Sequence, residues 1–230
     1  MKHLKKFLRE ELTGWTPLSV CWLCVATAVI LGLSLYWKDT AVGTVSALTG
    51  VWCVILTGQG KRSSFIFGVV NTLCYAWVSY GARYYGEVML NLVYYFPMNF
   101  VGFYMWSKHL DSRTGEVVKA RLPLKKGLAV YSLTGIGIFL YGLLLKALGG
   151  ALPYTDSMST VVSVTAQLLS VWRLAEQWVL WVVVDIVTVV MWAIQFAKGG
   201  ESIATLAMWS VYLINAVIML VKWMKEAKKA

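Results

Sequence analysis

Asp185 is a carboxylate in the middle of an apolar run, the stretch from Glu176 to Trp192. An ionisable side chain at membrane depth is costly unless it faces protein or a water-filled path, so Asp185 is a candidate binding residue. The alternative is a structural Asp185 that stays protonated and bonds a neighbouring helix. Residues at alternating steps of three and four share its helix face. These residues are Trp178, Trp181, Asp185, Thr188, Trp192 and Gln195.

Further polar side chains lie inside neighbouring apolar runs and predict a polar route between helices. Each alone is more typical of an interhelical hydrogen bond than of a ligand contact. As a set they favour a path for a polar solute. The amides and the phenol expected to contact that solute are Asn71, Asn99, Gln167, Tyr212 and Asn215.

The predicted lining is also aromatic, with Phe100, Trp181 and Trp192 as candidate contacts. A cationic ring gains about 0.5–2 kcal/mol from each aromatic face that it contacts. A phosphate would need Arg or Lys, and neither falls within the middle of an apolar run. The pattern therefore favours an uncharged or cationic aromatic solute over a nucleotide. Other tryptophans, including Trp223, are interpreted as members of the interfacial belt.

The elements that position these residues are predicted to be membrane-spanning helices. The chain has 230 residues, of which 59% are hydrophobic and 14% charged, and a soluble domain of this size cannot bury so much apolar surface. A span needs roughly 20 residues. Apolar runs of that order fall at 18–37, 41–58, 64–81, 87–107, 126–149, 157–173, 177–197 and 202–224. The sequence thus predicts an all-α polytopic membrane protein with eight transmembrane helices.

Basic residues predict the orientation of these helices. With the N-terminus in the cytoplasm, all but four of the 21 Lys and Arg residues fall in cytoplasmic segments. The exceptions are Lys38, Arg83, Lys146 and Lys198. This asymmetry is what the positive-inside rule describes, and it predicts that both termini are cytoplasmic. Anionic membrane lipids are a sufficient partner for the net charge of +10, so no nucleic acid is needed to explain it.

A weak internal repeat predicts the arrangement of the helices. Shifting the sequence by 114 residues places Asn71 on Asp185 and Glu87 on Glu201 without gaps. Two parallel three-helix repeats joined by a linking helix would place their binding site at the repeat interface. The predicted divisions are 1–39 for the cytoplasmic N-terminus and an extra transmembrane helix, 40–108 for the first repeat, 109–150 for a cytoplasmic linker and the linking helix, and 151–230 for the second repeat with a basic tail.

The segment from Gln167 to Asp185 carries a family likeness. A Gln is followed by Glu176-Gln-Trp178-Val-Leu-Trp181, and an Asp stands four residues after the second Trp. This pattern resembles the Pnu family of vitamin transporters, in particular its nicotinamide riboside branch. The likeness covers about residues 40–225 and is most specific within 163–192.

The resemblance implies facilitated diffusion of nicotinamide riboside, a vitamin B3 form and precursor of NAD, across the bacterial inner membrane. It also implies a uniporter, a homotrimer and a fold related to the SWEET sugar transporters. Trp178 and Trp181 match the WxxW of the family and, with Glu176, are expected to act in gating. The first repeat has Ser64 and Phe67 at the equivalent positions, which argues against two identical hinges.

Two other classes of function were weighed. A proton- or ion-coupled transporter of another vitamin, such as thiamine or riboflavin, would use Asp185 as the proton carrier. We find no second deep acid in the apolar runs, which disfavours that alternative. A membrane enzyme needs a Ser–His or paired-Asp arrangement, and His3 and His109 lie at cytoplasmic ends. No cofactor, metal site or catalytic residue is predicted.

Overall fold

The computed structural model describes residues 2–149, 153–199 and 203–229 and is helical along most of that length. The helices are α1 (Lys2–Leu12), α2 (Pro17–Tyr36), α3 (Ala41–Gly58), α4 (Ser64–Gly81), α5 (Tyr85–Met89), α6 (Phe96–Ser107), α7 (Leu124–Ala147), α8 (Pro153–Val171), α9 (Gln177–Ala197) and α10 (Ile203–Glu226). A π-helical turn, Leu90–Tyr95, joins α5 to α6. Two short strands, β1 (Ala120–Arg121) and β2 (Lys228–Lys229), pair in parallel.

Five of the described helices are long and apolar enough to cross a membrane, namely α2, α3, α7, α9 and α10. Two more, α4 and α8, have 18 and 19 residues but are less apolar. The predicted span at 87–107 is a single run of helix in three parts, with the π turn in its middle. These less apolar helices carry polar residues that face the interior, as described below. Glu201 and the predicted boundary at 150–151 lie outside the described residues.

Six helical units pack in a ring. Following the main contacts, α3 packs on α4, α4 on α6, α6 on α8, α8 on α9, α9 on α10, and α10 back on α3. The two remaining long helices lie outside this ring, with α2 against α3 and α7 against α8. Buried side chains with little bulk, including Ala47, Gly50 and Ala204, let neighbouring helices approach closely. The six units of the ring surround a central space.

The helix α1 and the last turn of α10 lie at the same end of the bundle, which we call the basic end: residues 2–16, 59–63, 108–123, 172–176 and 226–229. Lys61 is fully buried there, and its ammonium group donates to the backbone carbonyls of Glu10, Thr13 and Thr114 at 3.0, 2.6 and 2.9 Å. Burial lowers the pKa of Lys61, while the nearby Glu116 and Glu11 act in the opposite direction. Three carbonyl acceptors match the three N–H donors of an ammonium group. Lys61 therefore joins three segments that are distant in sequence.

The first helix, α1, was not predicted, because its 11 residues are too few and too polar to read as a span. It docks on the loop between α3 and α4. Glu10 pairs with Arg62 at 2.5 Å, and Glu11 accepts a hydrogen bond from the Ser63 hydroxyl at 2.5 Å. Burial raises the pKa of the Glu11 carboxyl, and the Ser63 hydrogen bonds offset part of that shift.

The segment predicted as a cytoplasmic linker is ordered in the structure. Ala120 exchanges backbone hydrogen bonds with Arg173 and Ala175, each at 2.9 Å, which ties the segment to the α8–α9 connection through a single parallel bridge. The buried Lys119 bridges Glu116 at 3.0 Å and Glu226 at 2.5 Å, which ties the same segment to the end of α10. The basic end is thus one connected layer beneath the helical ring.

Candidate binding cavity

A cavity occupies the centre of the helical ring and is lined by α3, α4, α5, the π turn, α6, α8, α9 and α10. Seven of the residues predicted from the sequence line it. They are Asn71, Asn99, Gln167, Trp178, Trp181, Asp185 and Tyr212. Further lining residues that the sequence did not single out for binding include Tyr75, Glu87 and Tyr95. The cavity is the place where the predicted polar set meets.

Asp185 lies in the wall of the cavity and is only 3% exposed. Among the described residues, no donor bonds its carboxylate and no Lys or Arg pairs with it. It is eight residues into α9, so it lies about 12 Å from the basic end at 1.5 Å per residue. Its predicted repeat partner, Asn71, is seven residues into α4 and lines the same cavity. An acid and an amide therefore face one space from two different helices.

The amide of Asn71 is held by α3, which approaches α4 and α10 closely. Asn71 Nδ2 donates to the Ser46 carbonyl at 2.8 Å. Gly50 makes this approach possible, since a Cβ there would overlap the Tyr212 hydroxyl and lie 2.7 Å from both Asn71 Nδ2 and Met208 Sδ. Because Gly50 has no side chain, Tyr212 and Asn71 can occupy these positions against α3.

Four cavity residues on the α5–α6 run recur at every fourth position: Glu87, Asn91, Tyr95 and Asn99. In a regular α-helix each four-residue step overshoots a full turn by about 40°, so the last would point about 120° away from the first. The π turn is wider, and the Phe96 N–H bonds the Asn91 carbonyl five residues back. This turn counteracts the drift and keeps all four side chains on the cavity wall.

Pro97 explains why the π turn forms at that place. Proline has no N–H to donate to the carbonyl four residues back, which is that of Val93, and its ring would clash with that carbonyl. Asn91 and Asn99 also donate their side-chain amides to the carbonyls of the residues four positions before them, both at 2.9 Å. Each amide oxygen is thereby left as the group that can accept a hydrogen bond from a solute.

Glu87 is a second acid of the cavity wall that the sequence analysis did not single out. It is partly buried, lines the same cavity as Asp185 and, among the described residues, forms no ion pair. We missed it because it stands at the edge of an apolar run, where an acid normally meets water. The signal that could have found it was its four-residue spacing from Asn91 and Tyr95, followed by a proline within the run.

An aromatic cluster closes the cavity toward the basic end. It consists of Phe65, Trp106, Trp178 and Trp223, each at most 4% exposed. Trp178 lies 5.8 Å from Trp223 between ring centroids, and its indole N–H is buried without a hydrogen-bond partner in the described structure. Trp223 donates to the Gly58 carbonyl at 2.8 Å and is fully buried, so its assignment to the interfacial belt was wrong.

A second aromatic cluster lies on the opposite side of the cavity and consists of Tyr75, Tyr84, Trp192, Trp209 and Tyr212. The Trp192 indole N–H donates to the Tyr75 hydroxyl at 2.9 Å. Tyr84 packs edge-on against Trp192 at 5.4 Å, and Trp209 against Tyr212 at 5.0 Å. Trp192 is therefore behind the lining, where it fixes Tyr75, and does not itself line the cavity.

The other predicted contacts also lie outside the lining. Phe100 is 56% exposed and packs on Phe96, because its position is one residue beyond the cavity-facing Asn99. The Thr188 hydroxyl donates to the Val184 carbonyl at 2.9 Å, and Gln195 is half-buried about two turns further along α9. Asn215 is fully buried and donates to the Val54 carbonyl at 3.1 Å, so it joins α10 to α3.

Glu176, predicted to act in gating, is buried at the start of α9. One of its carboxylate oxygens accepts the backbone N–H of Leu122 at 3.1 Å. The residue therefore holds the linker segment against the α8–α9 connection and is two positions before Trp178. Trp181, the second Trp of the pair, lines the cavity and packs against Tyr95 at 6.3 Å between ring centroids.

The cavity wall combines two carboxylates with aromatic faces and amides, and no lining residue is Lys, Arg or His. The family model for nicotinamide mononucleotide transporters matches residues 40–225, which is most of the chain. The chain belongs to this family of transporters. The matched segment begins with α3 and ends within the last turn of α10, so it includes every helix that lines the cavity.

Curated relatives and a solved structure agree with this family. The chain is 39% identical to the nicotinamide riboside transporter PnuC of Neisseria mucosa, over 96% of this chain and 86% of that protein. It is 30% identical to PnuC of Haemophilus influenzae, over 96% of both chains. A crystal structure of the vitamin B3 transporter PnuC superposes with a TM-score of 0.87 at 38% identity and covers 95% of this chain and 96% of that one.

Proposed function

We propose that this chain transports nicotinamide riboside across the bacterial inner membrane by facilitated diffusion. Two relatives that it resembles over nearly its full length are nicotinamide riboside transporters. The observation that carries the proposal is the cavity itself, in which Asp185 has no cationic partner among the described residues and aromatic rings and amides line the wall. The riboside has a permanent pyridinium charge, a flat ring, a carboxamide and a ribose. Each of these groups has a matching partner in the wall.

The cavity favours the riboside over the mononucleotide, although the family is described by the latter. The mononucleotide adds a phosphate, which requires Arg or Lys or a helix N-terminus for its charge. The lining includes neither basic residue, and the two carboxylates would repel the phosphate. A buried charge that is left unpaired is costly.

Measuring the affinity for each ligand separately tests this distinction. Purified protein in detergent, titrated with each ligand in a calorimeter, should bind the riboside at least about tenfold more tightly than the mononucleotide. That factor corresponds to about 1.4 kcal/mol of binding free energy. Nicotinamide, which lacks both ribose and ring charge, serves as the control for contacts to the carboxamide alone. Equal or tighter binding of the mononucleotide would contradict the proposal.

The finer architecture is part of the same proposal. We infer that α4, α5–α6 and α8 also cross the membrane, which gives eight spans with the basic end in the cytoplasm. The ring supports two repeats, α3–α4–α6 and α8–α9–α10, because contacts within one set recur in the other and both junctions, α6 with α8 and α10 with α3, are equivalent. The repeats would be joined by α7, with α2 added at the N-terminal side. Exposed apolar side chains on α2 and α7 suit lipid contact.

We infer that Trp178 gates the cavity toward the cytoplasm. It closes the cavity at the basic end, and Glu176 two residues earlier holds the linker against the same turn. Movement of α9 would therefore displace Trp178 and the linker together. Trp181 would move with the same helix while it contacts the solute. A homotrimer with one pathway in each protomer is expected from the family resemblance.

A second candidate is a proton-coupled transporter of a vitamin, and the position of Glu87 favours it. Two carboxylates at different depths of one cavity could carry a proton in steps, which a single Asp185 could not. A permanent cation, however, is drawn inward by the membrane potential, at about 2.3 kcal/mol per 100 mV, and needs no proton for uptake. We therefore retain facilitated diffusion as the function, and the last measurement in the Discussion distinguishes the two.

A further inference from the structure

Glu87 and Asp185 lie at different depths of the cavity. Asp185 is about 12 Å from the basic end, whereas Glu87 is two residues from the start of α5, at the opposite end of the bundle. Twelve residues separate Glu87 from Asn99, which is about 18 Å of regular helix. Asn99 packs against Gly68 of α4, and Gly68 is about one helical turn from Asn71. Glu87 therefore lines the part of the cavity farthest from the basic end, and Asp185 lines a part nearer to that end.

Tyr95 connects the two acids. Its side chain lines the same cavity as Glu87 and Asp185, and Tyr75 lines it as well. Tyr95 also packs against Trp181 at 6.3 Å, on the same helix as Asp185. A cation at Glu87 thus has aromatic neighbours on the route to Asp185. The π turn is what keeps Glu87, Asn91 and Tyr95 on this route.

Glu87 also lacks an evident structural role in the described part of the chain. Its carboxylate forms no salt bridge there, whereas Glu10, Glu11, Glu116, Glu176 and Glu226 each hold a named partner at the basic end. A partly buried acid without a partner is costly, and such groups are retained where a ligand supplies the partner.

The geometry points to a second cation subsite at Glu87, which receives a pyridinium-bearing solute at the far mouth before it reaches Asp185. This inference rests on the proposed function and adds an entry step to it. The subsite takes an organic cation with a flat ring, since Tyr75 and Tyr95 line the same cavity as the carboxylate and amide oxygens follow it along the helix. Occupation of Glu87 raises the local concentration of the cation at the mouth, so it acts on the rate of entry.

The test is the initial rate of uptake into liposomes that contain purified protein, at a riboside concentration well below saturation. Glu87→Gln should lower this rate by about tenfold, because a charge at a cleft mouth raises the capture rate of an opposite charge by tenfold or more. The control solute is the reduced riboside, whose dihydropyridine ring is uncharged. Its uptake should change by less than twofold. Glu87→Asp, which keeps the charge, should retain most of the riboside rate.

Several outcomes would overturn the subsite. A Glu87→Gln rate equal to wild type would do so, and so would an equal loss for the charged and the neutral riboside. Glu87→Ala provides a second neutral variant, and unfolding of both neutral variants would show that Glu87 is structural. Failure of the proposed function is distinct, because wild-type protein would then move no riboside at all. If only the subsite proposal is wrong, wild-type protein still transports the riboside, and Asp185→Asn still reduces that transport.

Discussion

The Asp185 carboxylate lies 3% exposed in a cavity wall without a bonded donor or cation among the described residues, so a bound cation would supply its partner. Asp185→Asn keeps the shape and removes the charge. We expect it to weaken riboside binding by about 2–5 kcal/mol, the range for removing one partner of a desolvated charge pair. Calorimetric titration of the variant would measure this loss.

The control for Asp185→Asn is again the reduced riboside, which keeps the ribose and the carboxamide but has an uncharged ring. Its affinity should fall much less than that of the charged riboside. An equal loss for both ligands would mean that Asp185 organises the helices instead of pairing with the ring. That result would restore the alternative of a structural, protonated Asp185.

The sequence predicted Asp185 and its neighbours well because helical periodicity is regular within α9. Trp178, Trp181 and Asp185 do line the cavity. The same periodicity also predicted that Thr188, Trp192 and Gln195 contact the solute, but these residues lie behind or beyond the lining. A helix face that meets a cavity in its middle meets other helices further along. Periodicity shows which face is buried, but it does not show what the face is buried against.

At the scale of elements, the close approach of α3 to α4 and α10 sets the width of the cavity. Gly50→Ala would force a Cβ into the Tyr212 hydroxyl and against Asn71. We expect it to destabilise the protein by about 1–3 kcal/mol, as overpacking does, and to weaken riboside binding as well. Thermal unfolding and calorimetric titration in the same detergent would measure both effects.

Gly32→Ala on α2 is the matched control, because a Cβ at Gly32 would meet nothing within 4 Å. Replacing a glycine in a helix interior by alanine stabilises by about 0.5–1 kcal/mol when there is room. The two variants should therefore differ in the sign of their effect on stability. Similar stability and binding for both would show that the α3–α10 approach does not define the cavity.

The elements that the sequence did not predict are those whose structure depends on tertiary contacts. The helix α1 docks where Glu10 pairs with Arg62 and Glu11 bonds Ser63, and no local sequence pattern predicts those partners. The linker contains the strand β1 only because β2 pairs with it, and the α8–α9 connection adds one isolated bridge. The apolar runs, in contrast, were located within a few residues of their helices, since the membrane imposes their length and composition.

At the scale of the whole molecule, all six helical units of the ring together form the cavity. Residues from every ring helix line it, and the basic end closes one side through Phe65, Trp106, Trp178 and Trp223. The 114-residue shift in the sequence predicted that Asn71 and Asp185 face one space, and both residues line the cavity. The repeat could not predict Glu87, whose partner Glu201 lies outside the described residues.

The measurement that tests the proposed function most directly is flux of radiolabelled riboside in liposomes that contain purified protein. Membrane potential is held at zero, and uptake is compared with and without an inward proton gradient. We expect equal uptake in both cases, no accumulation above the outside concentration, and efflux when the riboside gradient is reversed. Uphill accumulation driven by the proton gradient alone would contradict facilitated diffusion and favour a proton-coupled transporter that uses Glu87 and Asp185.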